Sequence, residues 1–423
     1  MADILVSMHT RSKLLGLRTW LAALMVIFST MDPGALVKYG PYLAVALWLT
    51  GNPARFRVSS TIWLTIAFGG WIALSSKWAI NPLAHQDVLI WISLLVMFLG
   101  VQDLIKSTRQ LRFLAWSYLV GLLITVIVTV VSNWSAISSA GVGRYSADQL
   151  NANYVGYSLA AGFAMIVLLW ETKENSFTAK LGLVGVGAAI IVGIELTGTR
   201  GAELGVVCLL AWLLLCRTFR TPPIRLLTVT LTAIAIGITT GLLDPVMGLL
   251  DFGSRGGGGL SGRLSLWPIA RELWNSSPWV GNGMWAMRAS NPWGVDAHSV
   301  FLEIGSALGI IGVGLFVALL WSILVTGTRS VEKRVRFLVI GSLLAVSAPA
   351  YFSGAWEATP TAWMILAIFS RISVLAASDS SGGIVVPTLD AFVSPRAKVS
   401  KPHAGVARFA ITPASEIPAV SNY

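Results

Sequence analysis

Uninterrupted apolar runs of roughly twenty residues, the length an α-helix needs to cross bilayer hydrocarbon, recur along this chain. About twelve such segments can be marked, beginning with residues 17–31, 35–50, 58–76, 86–101 and 111–131. Lipid offers no partner for backbone N–H and C=O groups, so only helices and closed barrels span it. These runs lack the strict alternation of a barrel strand. The expected fold is therefore an all-α polytopic membrane protein. The charged fraction agrees, at 12% with 55% hydrophobic residues, against about a quarter charged in soluble domains.

The net charge of +11 is explained by where the basic residues fall. Arg11, Lys13 and Arg18 precede the first segment. Arg55 and Arg57, Lys106 and Arg109, Lys173 and Lys180, Arg217 and Arg220, then Arg329 to Arg336, occupy every second connection. The short alternate connections hold only Lys77, Arg144 and Arg200. That asymmetry is the positive-inside pattern and places both termini in the cytoplasm, so nucleic acid is not the expected partner. The first segment lacks a small-residue cleavage signal and is expected to stay as a permanent helix. Cys208 and Cys216 lie on one expected helix about 12 Å apart along its axis, too far to pair, and read as packing residues.

The long connection, 244–298, lies between the ninth segment (224–243) and the tenth. It crosses the glycine run Gly256 to Gly259, read as a hinge, and is expected to be a periplasmic loop. Within it Arg263, Trp267, Arg271 and Trp274 are spaced for one helical face, with Pro268 either in the first turn or at a kink. The stripe suits an amphipathic membrane-surface helix or a substrate-binding face. His298 and Glu303 open the tenth segment, with Asp296 or Ser299 as its N-cap. Gly305 and Gly309 have the small-xxx-small spacing of closely packed helices.

Two further sites stand out. In TGTRGAELG, Arg200 lies between small residues at a junction of two apolar helices, flanked by Glu195 and Glu203. A cation there has a partner or a task. Pairing with Glu203 would make it a lock, and the alternative is a ligand site. A second TGTR, ending at Arg329, falls on the opposite side, so the tetrapeptide alone carries little meaning. Arg144 and Asn153 belong to the polar connection 132–158 and read either as solvated loop or as substrate contacts. The chain after residue 377 is polar and proline-containing and reads as a disordered cytoplasmic tail, 378–423, behind a transmembrane domain of 1–377.

The absent motifs narrow the chemistry. There is no GxxxxGK[ST] phosphate loop. No pair of aspartates is separated by one residue, as nucleotide-sugar enzymes would need for their metal. Histidines stand at 9, 85, 298 and 403, scattered through the topology, so neither a metal centre nor a cofactor is expected. Arginines and one histidine remain on the outer side. Guanidinium binds phosphate through paired hydrogen bonds and stays charged. Imidazole titrates near neutrality and can accept a hydroxyl proton. That combination suits a lipid diphosphate as donor and a hydroxyl as acceptor. An anion transporter or flippase, with Arg200 at mid-membrane, is the reading from another class, and it would usually carry inverted repeats, of which none is visible. A non-catalytic membrane scaffold is the third.

Taken as an ordered set, TGTRG, GRLSLWPIARELWNSSPWVGNGMW and DAHSVFLEIGSALGIIGVGLF resemble the O-antigen ligase and bacterial polysaccharide polymerase superfamily. The resemblance implies a GT-C-type inner-membrane glycosyltransferase of about twelve helices. It would move a glycan, without metal, from an undecaprenyl-diphosphate carrier to a sugar hydroxyl, and its partners would include membrane lipid and polysaccharide export or chain-length proteins. It maps the arginines of the family onto Arg200 and Arg263 as diphosphate contacts, and its histidine onto His298 as base or acceptor-positioning residue. Arg271, Arg144, Asn153, Trp267 and Glu303 are expected as secondary contacts to diphosphate or glycan. Many members carry a histidine and an asparagine where this chain has Asp296 and Ser299, which tilts the expectation from ligase toward polymerase of exopolysaccharide or O-antigen repeat units.

Overall fold

The computed structural model describes residues 2–50, 59–140, 144–147, 150–172, 176–218, 263–352 and 356–376. Side chains are described from Gly16 onward, except for those of Ala140, Arg217, Thr218, Arg263, Leu264 and Phe352. Among these residues the fold is entirely helical. In chain order the helices are α1 (Ala2–Met31), α2 (Pro33–Leu49), α3 (Ser60–Ser75), α4 (Ala84–Leu104), α5 (Thr108–Ser132), α6 (Trp134–Ala140), α7 (Ala152–Trp170), α8 (Phe177–Thr197) and α9 (Arg200–Thr218). They continue with α10 (Arg263–Ser276), α11 (Ala286–Ser290), α12 (Val300–Trp321), α13 (Lys333–Ser347) and α14 (Pro360–Phe369). Six helices among the described residues are long and apolar enough to cross a membrane, and the shorter apolar stretches Gly16–Met31, Ser60–Ser75 and Pro360–Ala376 accompany them. Each expected segment except the ninth coincides with a described helix; residues 224–243, the glycine run and the tail lie outside the described residues.

The helix ends follow local chemistry. Asp32 accepts a hydrogen bond from the Ala35 N–H ahead of Pro33, which occupies the first turn of α2 where its missing N–H costs nothing. Ser59, Ser107, Ser176 and Thr359 cap α3, α5, α8 and α14 in the same manner. Gly198 ends α8 in the left-handed conformation at φ 55°, and α9 starts two residues later.

Two ends of the bundle differ in character. At one, Arg18 donates to the Leu47 carbonyl (2.6 Å) and Arg371 to that of Gln102 (2.9 Å), with Lys106 just beyond Gln102 in sequence. At the other, hydroxyls join the helices: Tyr154 and Thr361 both reach the Ser29 carbonyl, and Thr125 donates to that of Thr30. Buried hydroxyl-to-backbone bonds of this kind add directional contacts between helices where lipid supplies no hydrophobic drive. The acidic residues Asp87, Asp296 and Glu357 lie at this second end, at or beyond the termini of α4, α12 and α14. The second TGTR motif sits at the basic end, where α12 runs into a π turn, Ser322–Thr326.

The most consequential departure from a plain bundle is inside α12. Gly309 has φ 65° and ψ −169°, breaking the helix nine residues after its start. A break at this depth frees backbone groups that must be re-satisfied. Residues 278–283 do so. Ile310 N–H donates to the Pro278 carbonyl (2.8 Å) and Ile311 to that of Trp279 (3.3 Å), while Asn282 and Gly283 N–H donate to Ser306 and Ala307 carbonyls (2.9 and 2.8 Å). Trp71 of α3 closes the set by donating to the Leu308 carbonyl at 3.0 Å. The expected close approach at Gly305 and Gly309 is present, with Gly305 against the Trp274 ring of α10 and Gly309 against the backbone at Trp279. The continuous helix expected there is not, because spacing alone does not reveal a left-handed residue.

Candidate functional site

The loop after α10 is anchored at its far side by Ile80 N–H, which donates to the Asn282 carbonyl (3.0 Å), and by the Asn81 amide on the Trp285 carbonyl (3.2 Å). The chain then makes the short helix α11 and returns through 291–299 to α12, with Asn291 hydrogen-bonding the Met287 and Val295 carbonyls (2.5 and 2.8 Å). This return places Asp296, Ala297 and His298 at the mouth of the bundle. His298 is half-buried and has φ 55°, a conformation that few non-glycine residues adopt and that costs of order 1–3 kcal/mol. Its neighbour Ala297 is fully buried and donates its N–H to Glu303 Oε2 at 2.7 Å. Glu303 therefore fixes the turn that carries the histidine.

Asp296 was a candidate cap for α12. It instead forms a bidentate pair with Arg288, at 2.6 and 2.7 Å, and Ser299 occupies the cap position without a side-chain bond. Arg288 also lies 4.9 Å from the centre of the Trp285 ring. The hydrogen bonds and charge of Asp296 hold the guanidinium above its usual range against the cost of burial, with Asp87 and Glu303 contributing.

Around Arg288 the fold gathers four carboxyl groups, Asp87, Asp296, Glu303 and Glu357, on the wall of a small cavity that opens to solvent at its mouth. Trp91, Trp285, Met284, Ile304 and Leu308 supply apolar surface. Asp87 interacts with the Trp285 indole. Glu357 is 5% exposed, and its Oε2 is buried with no hydrogen-bond partner. Its carboxyl is pushed up to about 8, chiefly by burial and in lesser part by Asp296 and Asp87, against a hydrogen bond from its own backbone. Among the described residues no group of three or more His, Cys, Asp or Glu is placed to hold a metal ion.

Arg200 begins α9 at the same end. The Thr199 hydroxyl donates to the Ala152 carbonyl (3.0 Å), Tyr145 N–H donates to that of Leu196 (2.9 Å), and Arg144 donates to the Asn153 side chain (2.6 Å). Arg144 and Asn153 are thus brought together beside the α8–α9 junction. From there two routes of contact run toward Glu357 and the start of α12. Gly201 abuts Tyr157, whose ring lies 5.9 Å from that of Trp356, the residue before Glu357. The turn Ala348–Phe352 packs on both α9 and α12, and Tyr351 stacks on Phe301, three residues beyond His298, at 6.0 Å between ring centres.

The expected stripe on the long loop is only partly realised as a shared face. Arg263 opens α10 and Pro268 lies inside that helix, rather than starting it. Arg271 is exposed. Trp267 is half-buried with its indole N–H lacking a partner, and Trp274 packs on Gly305. Sequence reasoning missed Asp87, Arg288 and Glu357. Asp87 carried a signal, a carboxylate in the first turn of an apolar span. Glu357 sat in a short connection and carried none.

With this geometry in view, residues 185–317 match the family model described as O-antigen ligase. That stretch is similar to the O-antigen ligase superfamily. It includes Arg200, Arg263, Arg288, Asp296, His298 and Glu303 together, and it supports an O-antigen ligase or polymerase type of function acting on lipid-linked polysaccharide. Asp87 and Glu357 come from outside the ligase-family stretch and complete the cavity from α4 and the turn before α14. No curated protein matches the chain.

Proposed function

We propose that the chain is an inner-membrane glycosyltransferase that moves a glycan from an undecaprenyl-diphosphate carrier to a sugar hydroxyl, polymerising exopolysaccharide or O-antigen repeat units without a metal or other cofactor. What supports the reading is a chain of contacts that leads from the Arg200 junction toward the helix that His298 precedes, through Tyr157, Trp356 and Ala348–Phe352. In this reading both termini are cytoplasmic and the site faces the periplasm.

Arg200 and Arg263 hold the diphosphate and stabilise its charge as the sugar C1–O bond breaks. His298 takes the proton from the acceptor hydroxyl as the new C1–O bond forms, and the lipid diphosphate leaves. The Glu303 and Ala297 hydrogen bond sets the backbone from which the imidazole projects. Arg271, Arg144, Asn153 and Trp267 contribute weaker contacts to diphosphate or glycan. Polysaccharide export or chain-length proteins are the expected partners.

Profiling surface glycans in a deletion strain tests the reading. Loss of long chains with single units retained supports the polymerase. Free polymer that is no longer attached to lipid A core assigns the ligase reaction instead. Unchanged glycans, with substrate accumulating in vesicles only when the chain is present, would replace both with a transporter.

A further inference from the structure

We infer that the cavity between α4, α11, α12 and Glu357 is a binding subsite for a neutral sugar ring, the acceptor glycan in the reaction proposed above; this identification rests on that reading. The cavity has a lining suited to a polyhydroxylated ring: carboxylate oxygens that accept hydrogen bonds, and the Trp91 and Trp285 rings for its C–H faces. Most of its polar groups are already engaged. Asp296 is held by Arg288, Glu303 by the Ala297 N–H and Asp87 by Trp285. Glu357 differs. Its side chain is 95% buried on the cavity wall, since only 5% is exposed, and Oε2 has no partner. A buried, unsatisfied acceptor of this kind costs free energy unless a ligand donates to it.

The lining decides which part of the substrate enters. Its one guanidinium, Arg288, is already paired with Asp296 and leaves no cation on the wall for a phosphate, while the carboxyl groups around it can hydrogen-bond hydroxyls. Position gives the role. Asp296 and Glu303, both on the cavity wall, flank the Ala297–His298 turn in sequence, so a ring held here sits next to the turn that carries the histidine.

The test is binding by the full chain in lipid nanodiscs, using the oligosaccharide released by mild acid from the surface glycan of the producing cell. Calorimetry on wild type is expected to show saturable binding, and Glu357→Leu at least a tenfold weaker affinity with an unchanged or higher melting temperature. A structural role alone would lower the melting temperature instead. If the Leu variant fails to fold, Glu357→Gln carries the same comparison. No saturable binding by wild type, or equal affinity in the folded variant, overturns the inference. A chain that binds the oligosaccharide but transfers nothing contradicts the transferase reading and leaves the subsite standing. One that transfers but is indifferent to Glu357 does the reverse.

Discussion

Replacing Gly309 with alanine should loosen the broken helix on which the site rests. At φ 65° and ψ −169° the residue occupies a region open almost only to glycine, so a Cβ costs of order 1–3 kcal/mol from the backbone alone. That Cβ would also lie 2.3 Å from the carbonyl carbon and oxygen of Trp279, neither of which is the end of a flexible side chain. The loop 278–283 must lift. Lifting it strains the bonds from Ile310, Ile311, Asn282 and Gly283, each contributing about 1 kcal/mol. The combined cost is roughly 5 kcal/mol, comparable with the whole stability of many domains, and corresponds to a fall in melting temperature on the order of 10 °C. Thermal unfolding in detergent measures it, and hydrogen exchange should show amides 281–283 and 310–311 losing protection first. Gly314→Ala is the control, since its Cβ would meet nothing within 4 Å. Equal melting temperatures and equal protection in the two variants would refute the docked-loop argument.

Other expectations follow from the same contacts. Glu357 has a folded-state pKa of about 8 against an ordinary 4.5, so its contribution to stability is fully present below about pH 4.5 and is lost as pH rises through 8. Melting temperature should therefore decline between pH 5 and 8, by the equivalent of a few kcal/mol, and Glu357→Leu should flatten that decline. Arg288→Ala leaves Asp296 facing Asp87, Glu303 and Glu357 without its partner and should destabilise by about 1–3 kcal/mol, whereas Arg288→Met with Asp296→Leu should recover part of the loss in chemical denaturation. Ala297→Pro removes the N–H that Glu303 Oε2 accepts and should cut glycan transfer at least tenfold while protein remains in the membrane, as measured by glycan length on gels.

Much of this architecture was legible because continuous apolar runs leave the backbone few choices. The histidine at the start of α12 and the arginine at the α8–α9 junction were visible as polar groups in apolar surroundings. The same argument could not say that 278–283 folds into α12, since a break at Gly309 depends on one dihedral angle and on partners about thirty residues away. Asp296 met the chemical requirements of a cap, but a bidentate guanidinium eight residues earlier won the competition for it. Arg144 and Asn153 were left between loop and ligand, and the structure joins them to each other. The carboxylate cavity was invisible because its members come from α4, the 285–303 stretch and the turn before α14, and only tertiary packing brings them together.

The central claim is chemical: arginines at the bundle mouth hold a lipid diphosphate while His298 activates the acceptor. Its most direct test is single-turnover transfer by the purified full chain in nanodiscs, with lipid-diphosphate glycan from the producing cell and chelator present. The account predicts release of free lipid diphosphate in step with glycan lengthening, falling at least a hundredfold in each of Arg200→Ala, Arg263→Ala and His298→Ala. Wild-type turnover in all three folded variants would contradict it.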